Sequence, residues 1–162
     1  MHPLLDLQLL VLLAVANTAP LLAKRVMGDR FSWPLDGGLA FFDGRPMFGK
    51  SKTLRGIVLA VIATAAVAAL VGPDWRTGAV VGAAAMAGDL FSSFVKRRLA
   101  LPPSSQATGL DQVPESLLPL LAVRAMLPLT VLDIAALVAL FFIGEVLFSR
   151  VFYRFGLRDR PY

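Results

Sequence analysis

The sequence contains no cysteine and a single histidine, His2, at its second position. Without thiols there is no disulfide framework, no thiolate metal site and no cysteine nucleophile, and one terminal His leaves zinc chemistry and His-based catalysis without ligands. Charge is scarce as well. Of the 162 residues, 17% are charged and 57% hydrophobic, against about 25% and about 45–50% in a soluble globular chain. The mean hydropathy is +0.70. A domain of this size could not bury the runs 57–71, 78–94 and 129–142 together without exposing large apolar faces to water. A water-soluble fold is therefore excluded, and any chemistry has to run on carboxylates, Lys, Arg, Ser or a bound metal.

What the chain does have is five apolar stretches, at about 4–22, 56–71, 77–95, 116–127 and 129–148. Read as one helix, the last two would extend about 50 Å, well beyond an about 30 Å hydrocarbon core, so the reading is two helices, the first short or partly re-entrant. The expected architecture is all-α: a single membrane-embedded domain over residues 1–162, built as a polytopic bundle of five transmembrane helices. The N-terminal run lacks a basic leader and a small-residue cleavage site, so it reads as a span and not as a removed signal peptide.

The net charge of +5 points in a soluble protein to nucleic acid, but here its distribution fits topology instead. Five spans place 14 of the 16 basic residues on one side and leave Arg76 and Arg124 on the other. Basic residues collect on the cytoplasmic side, so the N-terminus is expected outside and the C-terminus in the cytoplasm. The two long connections, about 23–55 and 96–115, then both face the cytoplasm, and the working face is expected there.

The first connection contains Gly44-Arg45-Pro46-Met47-Phe48-Gly49-Lys50-Ser51, a formal match to the phosphate-binding pattern G-x-x-x-x-G-K-[ST]. A true P-loop joins a buried strand to a helix in an α/β domain, for which this chain has no room. Lys50, Lys52 and Arg55 still gather three cations just before a helix whose N-terminal amides favour anions; the plainer reading is a juxtamembrane cluster touching anionic lipid.

The third span ends in Gly88-Asp89-Leu90-Phe91-Ser92-Ser93-Phe94-Val95-Lys96-Arg97-Arg98. Helical spacing puts Asp89, Ser92, Ser93 and Lys96 on one face. Asp89 lies about two turns inside the span, where a carboxylate is costly and marks either a functional site or an ion pair with a loop Arg. Gly78-x-x-x-Gly82 reads as scaffold for close helix packing. The stretch Gly109-Leu110-Asp111-Gln112-Val113-Pro114-Glu115 returns a second carboxylate to the same side. Two carboxylates flanked by cations at the water boundary suit Mg²⁺-assisted chemistry on phosphates. Arg124 and Asp133, beside the outer turn, read as a structural ion pair, and Glu145 either pairs with Arg150 or lines the cavity. Trp33, Trp75, Tyr153 and Tyr162 suit interfacial belts.

The ordered set Asn17-x-x-Pro20, Pro34-x-Asp36-Gly37-Gly38, Asp43-Gly44-Arg45-Pro46-x-Phe48-Gly49-x-x-Lys52-Thr53-x-Arg55-Gly56, the block from Gly88 to Arg98, and Leu110-Asp111-Gln112 resembles the CDP-archaeol synthase family, a compact branch of the CDP-diacylglycerol synthases. The continuation Glu115-Ser116-Leu117-Leu118-Pro119 looks more like bacterial members than archaeal ones. The resemblance implies five spans and transfer of CMP from CTP to a membrane lipid phosphate, archaeol-type or phosphatidate-type, with Mg²⁺ and release of pyrophosphate. It implies Asp89 and Asp111 as metal-binding, catalytic carboxylates, with Lys96 and Arg97 as catalytic phosphate contacts. Asn17, Asp43, Gly49, Lys52, Thr53, Arg55, Ser92, Ser93, Arg98 and Gln112 are implied on the nucleotide or substrate side. The cell membrane is the expected location, no nucleic acid is expected as a partner, and a homo-oligomer is left open. The competing class is a non-catalytic transporter or lipid-binding assembly protein. Transporters carry internal repeats and broken polar helices at the midplane, whereas the polar residues here crowd one interface.

Overall fold

The computed structural model describes residues 2–103, 105 and 107–154; Tyr162 of the sequence reading lies outside them, as do the side chains of Arg150 and Tyr153. Five helices follow one another: α1 (Pro3–Met27), α2 (Leu54–Val71), α3 (Trp75–Arg98), α4 (Gln112–Val123) and α5 (Val131–Arg154). The described residues carry no strand beyond isolated bridges. The chain is a multi-pass membrane protein: α1, α2, α3 and α5 are long and apolar enough to cross a bilayer. The fourth helix is the short one that the sequence suggested. Its 12 residues rise about 18 Å, less than an about 30 Å hydrocarbon core.

Small residues set the packing. Glycines 78 and 82 of α3 lie directly on α2: a Cβ at Gly78 would fall 2.4 Å from the Ala68 Cβ, and one at Gly82 would fall 2.9 Å from the Val61 Cα. Close backbone approach of this kind replaces the hydrophobic driving force that helices lack inside lipid. The same contacts fix direction, since Gly78 meets Ala68 while Gly82 meets Val61, so α3 runs antiparallel to α2. Similarly, Gly72 beyond the end of α2 faces Gln8 near the start of α1, and Gly56 at its beginning faces Pro20. Gln8 Nε2 donates to the Val71 carbonyl at 2.6 Å, which satisfies a carbonyl that the helix end leaves open.

The bundle divides along its length. At one end the buried side chains are apolar, with Leu9, Leu12 and Leu13 of α1 packed with Val81, Leu120, Val123, Leu137 and Phe141. At the other end lie buried Ser92, Ser93, Lys96, Arg97, Gln112 and Glu115. Near the apolar end, Thr130 and Asp133 form a reciprocal cap for α5: the Asp133 carboxylate accepts from the Thr130 amide at 3.0 Å and hydroxyl at 2.8 Å, and the Asp133 amide donates to the Thr130 hydroxyl. Capping explains this buried carboxylate, where the sequence had suggested Arg124.

Candidate functional site

The polar end opens into a cavity of about 870 Å³. Its walls come from the last turns of α1, the first connection, the start of α2, the second half of α3, the connection that follows it, the start of α4 and, through Glu145, α5. The first connection is shaped by Asp36, a residue 7% exposed whose carboxylate accepts the amides of Gly38, Phe48 and Gly49, each at 3.0 Å. Burial alone would raise its pKa; the amides of Gly49, Phe48 and Gly38 outweigh it and hold the carboxyl below its ordinary value. Around this anchor the chain pairs with itself, Leu35 N donating to Lys52 O at 2.8 Å and Phe41 N to Arg45 O at 2.7 Å. Gly49 takes φ +92, a conformation that L side chains rarely adopt.

That folding delivers Lys52 to the cavity wall immediately before α2, whose first amides are capped by Thr53: its hydroxyl accepts from Gly56 N at 3.2 Å. Lys52 Nζ donates to both Asp89 oxygens at 2.5 Å. Burial would lower the Lys52 pKa, but the Asp89 carboxylate outweighs it and keeps the ammonium above its ordinary value. The ion pair that the sequence allowed for Asp89 is made with a lysine of the first connection and not with an arginine. A parallel pair stands beside it. Lys96 Nζ lies 2.6 Å from Asp111 Oδ1 and donates to Ser105 O at 3.0 Å, while Asp111 Oδ2 accepts from the Ala107 amide. Ser92, fully buried, donates to the Leu110 carbonyl at 2.6 Å and so ties the approach to α4 onto α3. Gln112 is fixed by accepting from the Gly109 amide at 2.8 Å.

Asn17, Lys52, Thr53, Arg55, Asp89, Lys96, Asp111 and Gln112 thus share one cavity, with Lys50 and Glu145 on the same wall. The remaining expected residues stand behind or beside it. Ser92 and Ser93 are buried in the α3 packing. Arg97 donates to the Pro102 carbonyl with its guanidinium close to Gly49. Asp43 and Arg98 form a clasp outside the cavity: Arg98 binds Asp43 at 2.8 Å, donates to the carbonyls of Arg45 and Pro46, and stacks over Phe41 and Phe94. The clasp pins the tip of the first connection to α3. The G-x-x-x-x-G-K-S stretch has its first glycine in the turn of residues 41–45 and no flanking strand, as its short context implied.

Glu115 is the site residue that the sequence reading passed over. It is buried, lines the cavity and stands against Asp89. A signal existed, because Glu115 follows Asp111 by four residues and so shares its side of α4. Neighbouring carboxyl oxygens are the hard ligands that a divalent cation takes. The donor set Asp89 and Glu115, with Asp111 on the same wall, fits such a cation. The described residues contain no group of three or more acidic or His side chains clustered tightly enough to hold one alone, so water and substrate oxygens would complete the shell, as is usual for Mg²⁺.

Residues 3–162 match the family model described as CarS-like, CDP-archaeol synthase. Curated relatives include the CDP-archaeol synthase of Hyperthermus butylicus, 36% identical over 117 residues that cover 68% of this chain and 67% of the relative. The CDP-archaeol synthase of Sulfurisphaera tokodaii is 31% identical over 135 residues, 80% of this chain and 81% of the relative. That of Methanopyrus kandleri is 42% identical over 86 residues, 49% of this chain and half of the relative's length. Among solved structures, one of an intramembrane enzyme for archaeal membrane lipids biosynthesis superposes with a TM-score of 0.74 at 26% identity, covering 86% of this chain and 89% of that one.

Proposed function

Because the chain belongs to the CDP-archaeol synthase family, we propose that its polar cavity is where a cytidylyl group passes from CTP to the phosphate of a membrane lipid. The activity, CTP-dependent cytidylyl transfer to a lipid phosphate, comes with the family; the assignment of residues to it is our reading. One observation carries that reading: the paired cations and carboxylates, Lys52 with Asp89 and Lys96 with Asp111, stand on the wall of the same cavity.

A lipid phosphate oxygen attacks the α-phosphorus of CTP, the bond to the β-phosphate oxygen breaks, and pyrophosphate leaves opposite the incoming oxygen. No covalent enzyme intermediate is required, since holding two anions in line supplies much of the acceleration. Lys52 and Lys96 place positive charge where the phosphoryl oxygens gather charge. Lys50 meets the outer phosphates of CTP, while Thr53 and Gln112 present polar groups to the nucleotide. Asp89, Glu115 and Asp111 would hold Mg²⁺, which when bound supplies Lewis-acid stabilisation of the phosphate oxygens. The density of basic residues on this side supports a cytoplasmic face of the cell membrane, where CTP is available.

The non-catalytic alternative is not favoured, since a transporter concentrates polar groups at the bilayer midplane and here they collect at one end. The test is pyrophosphate release from CTP in detergent with Mg²⁺, using a panel of phosphatidate and ether-linked glycerol phosphates. Release that requires the lipid supports the proposal; a wild-type protein that releases none with any acceptor overturns it.

A further inference from the structure

Beside the polar cavity lies a second concavity of about 280 Å³. Met27, Phe31, Trp33, Leu54 and Val58 line it, and its one charged residue is Arg55. Phe31, Trp33, Leu54 and Val58 are exposed in the isolated chain, and they form a groove between the end of α1, the first connection and the opening turns of α2. Arg55 also lines the polar cavity. It therefore stands where the two concavities meet, polar on one side of its guanidinium and apolar on the other.

Local structure fixes Arg55 in that position. Its Nη1 donates to the Gly28 carbonyl at 3.0 Å and to the Arg30 carbonyl, so the turn after α1 is drawn onto the start of α2. Its Nε is buried and hydrogen-bonds to nothing among the described residues. An unsatisfied buried donor on a cation is costly and calls for an anionic acceptor. The edge-on contact between Phe31 and Trp33, with centroids 6.4 Å apart, builds one side of the groove from aromatic faces. Leu54 and Val58, four residues apart on α2, build the other.

We propose that this groove holds a hydrocarbon chain of the acceptor lipid, with Arg55 taking its phosphate at the junction and presenting it to the polar cavity. The proposal rests on the cytidylyl-transfer reading above. Apolar helix faces are everywhere covered by lipid in a membrane, but a concave apolar surface continuous through one arginine with a cavity of lysines and carboxylates matches a molecule that is itself phosphate at one end and hydrocarbon at the other. The chain enters from the side of the bundle while the nucleotide enters from the water.

The test is Val58→Trp, which fills the groove from an exposed helix position and leaves the polar cavity untouched. With dioleoyl phosphatidate or diphytanyl glycerol phosphate as acceptor, the KM for lipid should rise about tenfold, the effect of leaving roughly two methylenes unburied. With dihexanoyl phosphatidate, whose chains are too short to fill the groove, KM should stay at the wild-type value, as should the KM for CTP. Equal losses with long and short acceptors, or no loss with either, would overturn the proposal. A phosphatidate carrying a diazirine in its chain gives a readout independent of turnover: crosslinks concentrated in 27–33 and 54–59 support the groove, whereas labelling spread evenly over the outward helix faces means annular lipid only and rejects it. Failure of wild-type protein to transfer CMP at all would instead count against the proposed function, and the crosslinking result would still decide the groove.

Discussion

Gly88 and Pro114 meet backbone to backbone: a Cβ on Gly88 would lie 2.3 Å from the Pro114 carbonyl oxygen and 2.8 Å from the amide nitrogen of Glu115. Only the absence of a side chain at 88 lets α4 come this near α3. That approach brings the Glu115 carboxyl onto Asp89, the neighbour of the glycine itself.

Gly88→Ala should therefore separate α3 from α4. Overpacking of this kind costs about 1–3 kcal/mol, visible as a lower Tm in detergent. Turnover per folded molecule should fall as well, since Glu115 is carried away from Asp89. A variant with normal Tm and normal turnover would mean that the contact positions nothing.

Asp89→Asn keeps the size of the side chain and removes its charge. Turnover per folded molecule should fall about 10²-fold or more, roughly 2.7 kcal/mol of transition-state stabilisation. The same substitution at Asp111 should behave alike. If Asp89 served only as a structural partner of Lys52, yield and Tm would drop while the folded fraction kept near-normal activity, and a Mg²⁺ titration of both variants separates the cases.

Lys50 and Lys52 both line the cavity, but Lys52 alone of the two holds Asp89. Lys52→Ala should reduce kcat strongly, whereas Lys50→Ala should raise the KM for CTP and spare most of kcat. Abolition of turnover by Lys50→Ala with an intact Lys52→Ala would reverse the assignment of the first connection.

Asp36 predicts a pH dependence. Its folded pKa lies below the ordinary carboxylate value of about 3.9, so its contribution is complete above that value and is lost as pH falls through the lower, folded one. Amide exchange at Gly38, Phe48 and Gly49 should stay protected from neutral pH down to about 4 and open only below. In Asp36→Ala the same amides should exchange fast at every pH.

The fold was largely legible because lipid is a demanding solvent. Hydropathy alone marks 56–71 and 129–148, and the shortfall of 116–127 against the membrane thickness already announced the short α4. Asp89 was legible for the same reason, as a carboxylate where none is cheap. Glu115 was harder, since it sits in the first turn of a helix where acidic residues are ordinary. Its importance depends on how closely α4 approaches Gly88, which no spacing along the chain records. Asp43 and Arg98 were legible as charges in the right neighbourhood, but pairwise contact over 55 residues turned them toward each other, and the clasp they form steers the loop from behind. Asp36 illustrates the opposite case, in which a motif residue without an evident chemical role becomes the point around which the first connection is tied.

Because α4 is short and begins level with Asp89, the proposed reacting centre lies well short of the end of α3, within reach of an acceptor that stays in the membrane. A reaction placed in this way has two concentrations that do not mix. CTP is counted per volume of water, whereas the acceptor is counted per area of membrane and reaches the protein by sliding within its own leaflet. Turnover at saturating CTP should then follow the mole fraction of lipid phosphate in the vesicle and ignore the total amount of vesicles added, so diluting the membrane with inert lipid slows the enzyme while diluting the suspension does not.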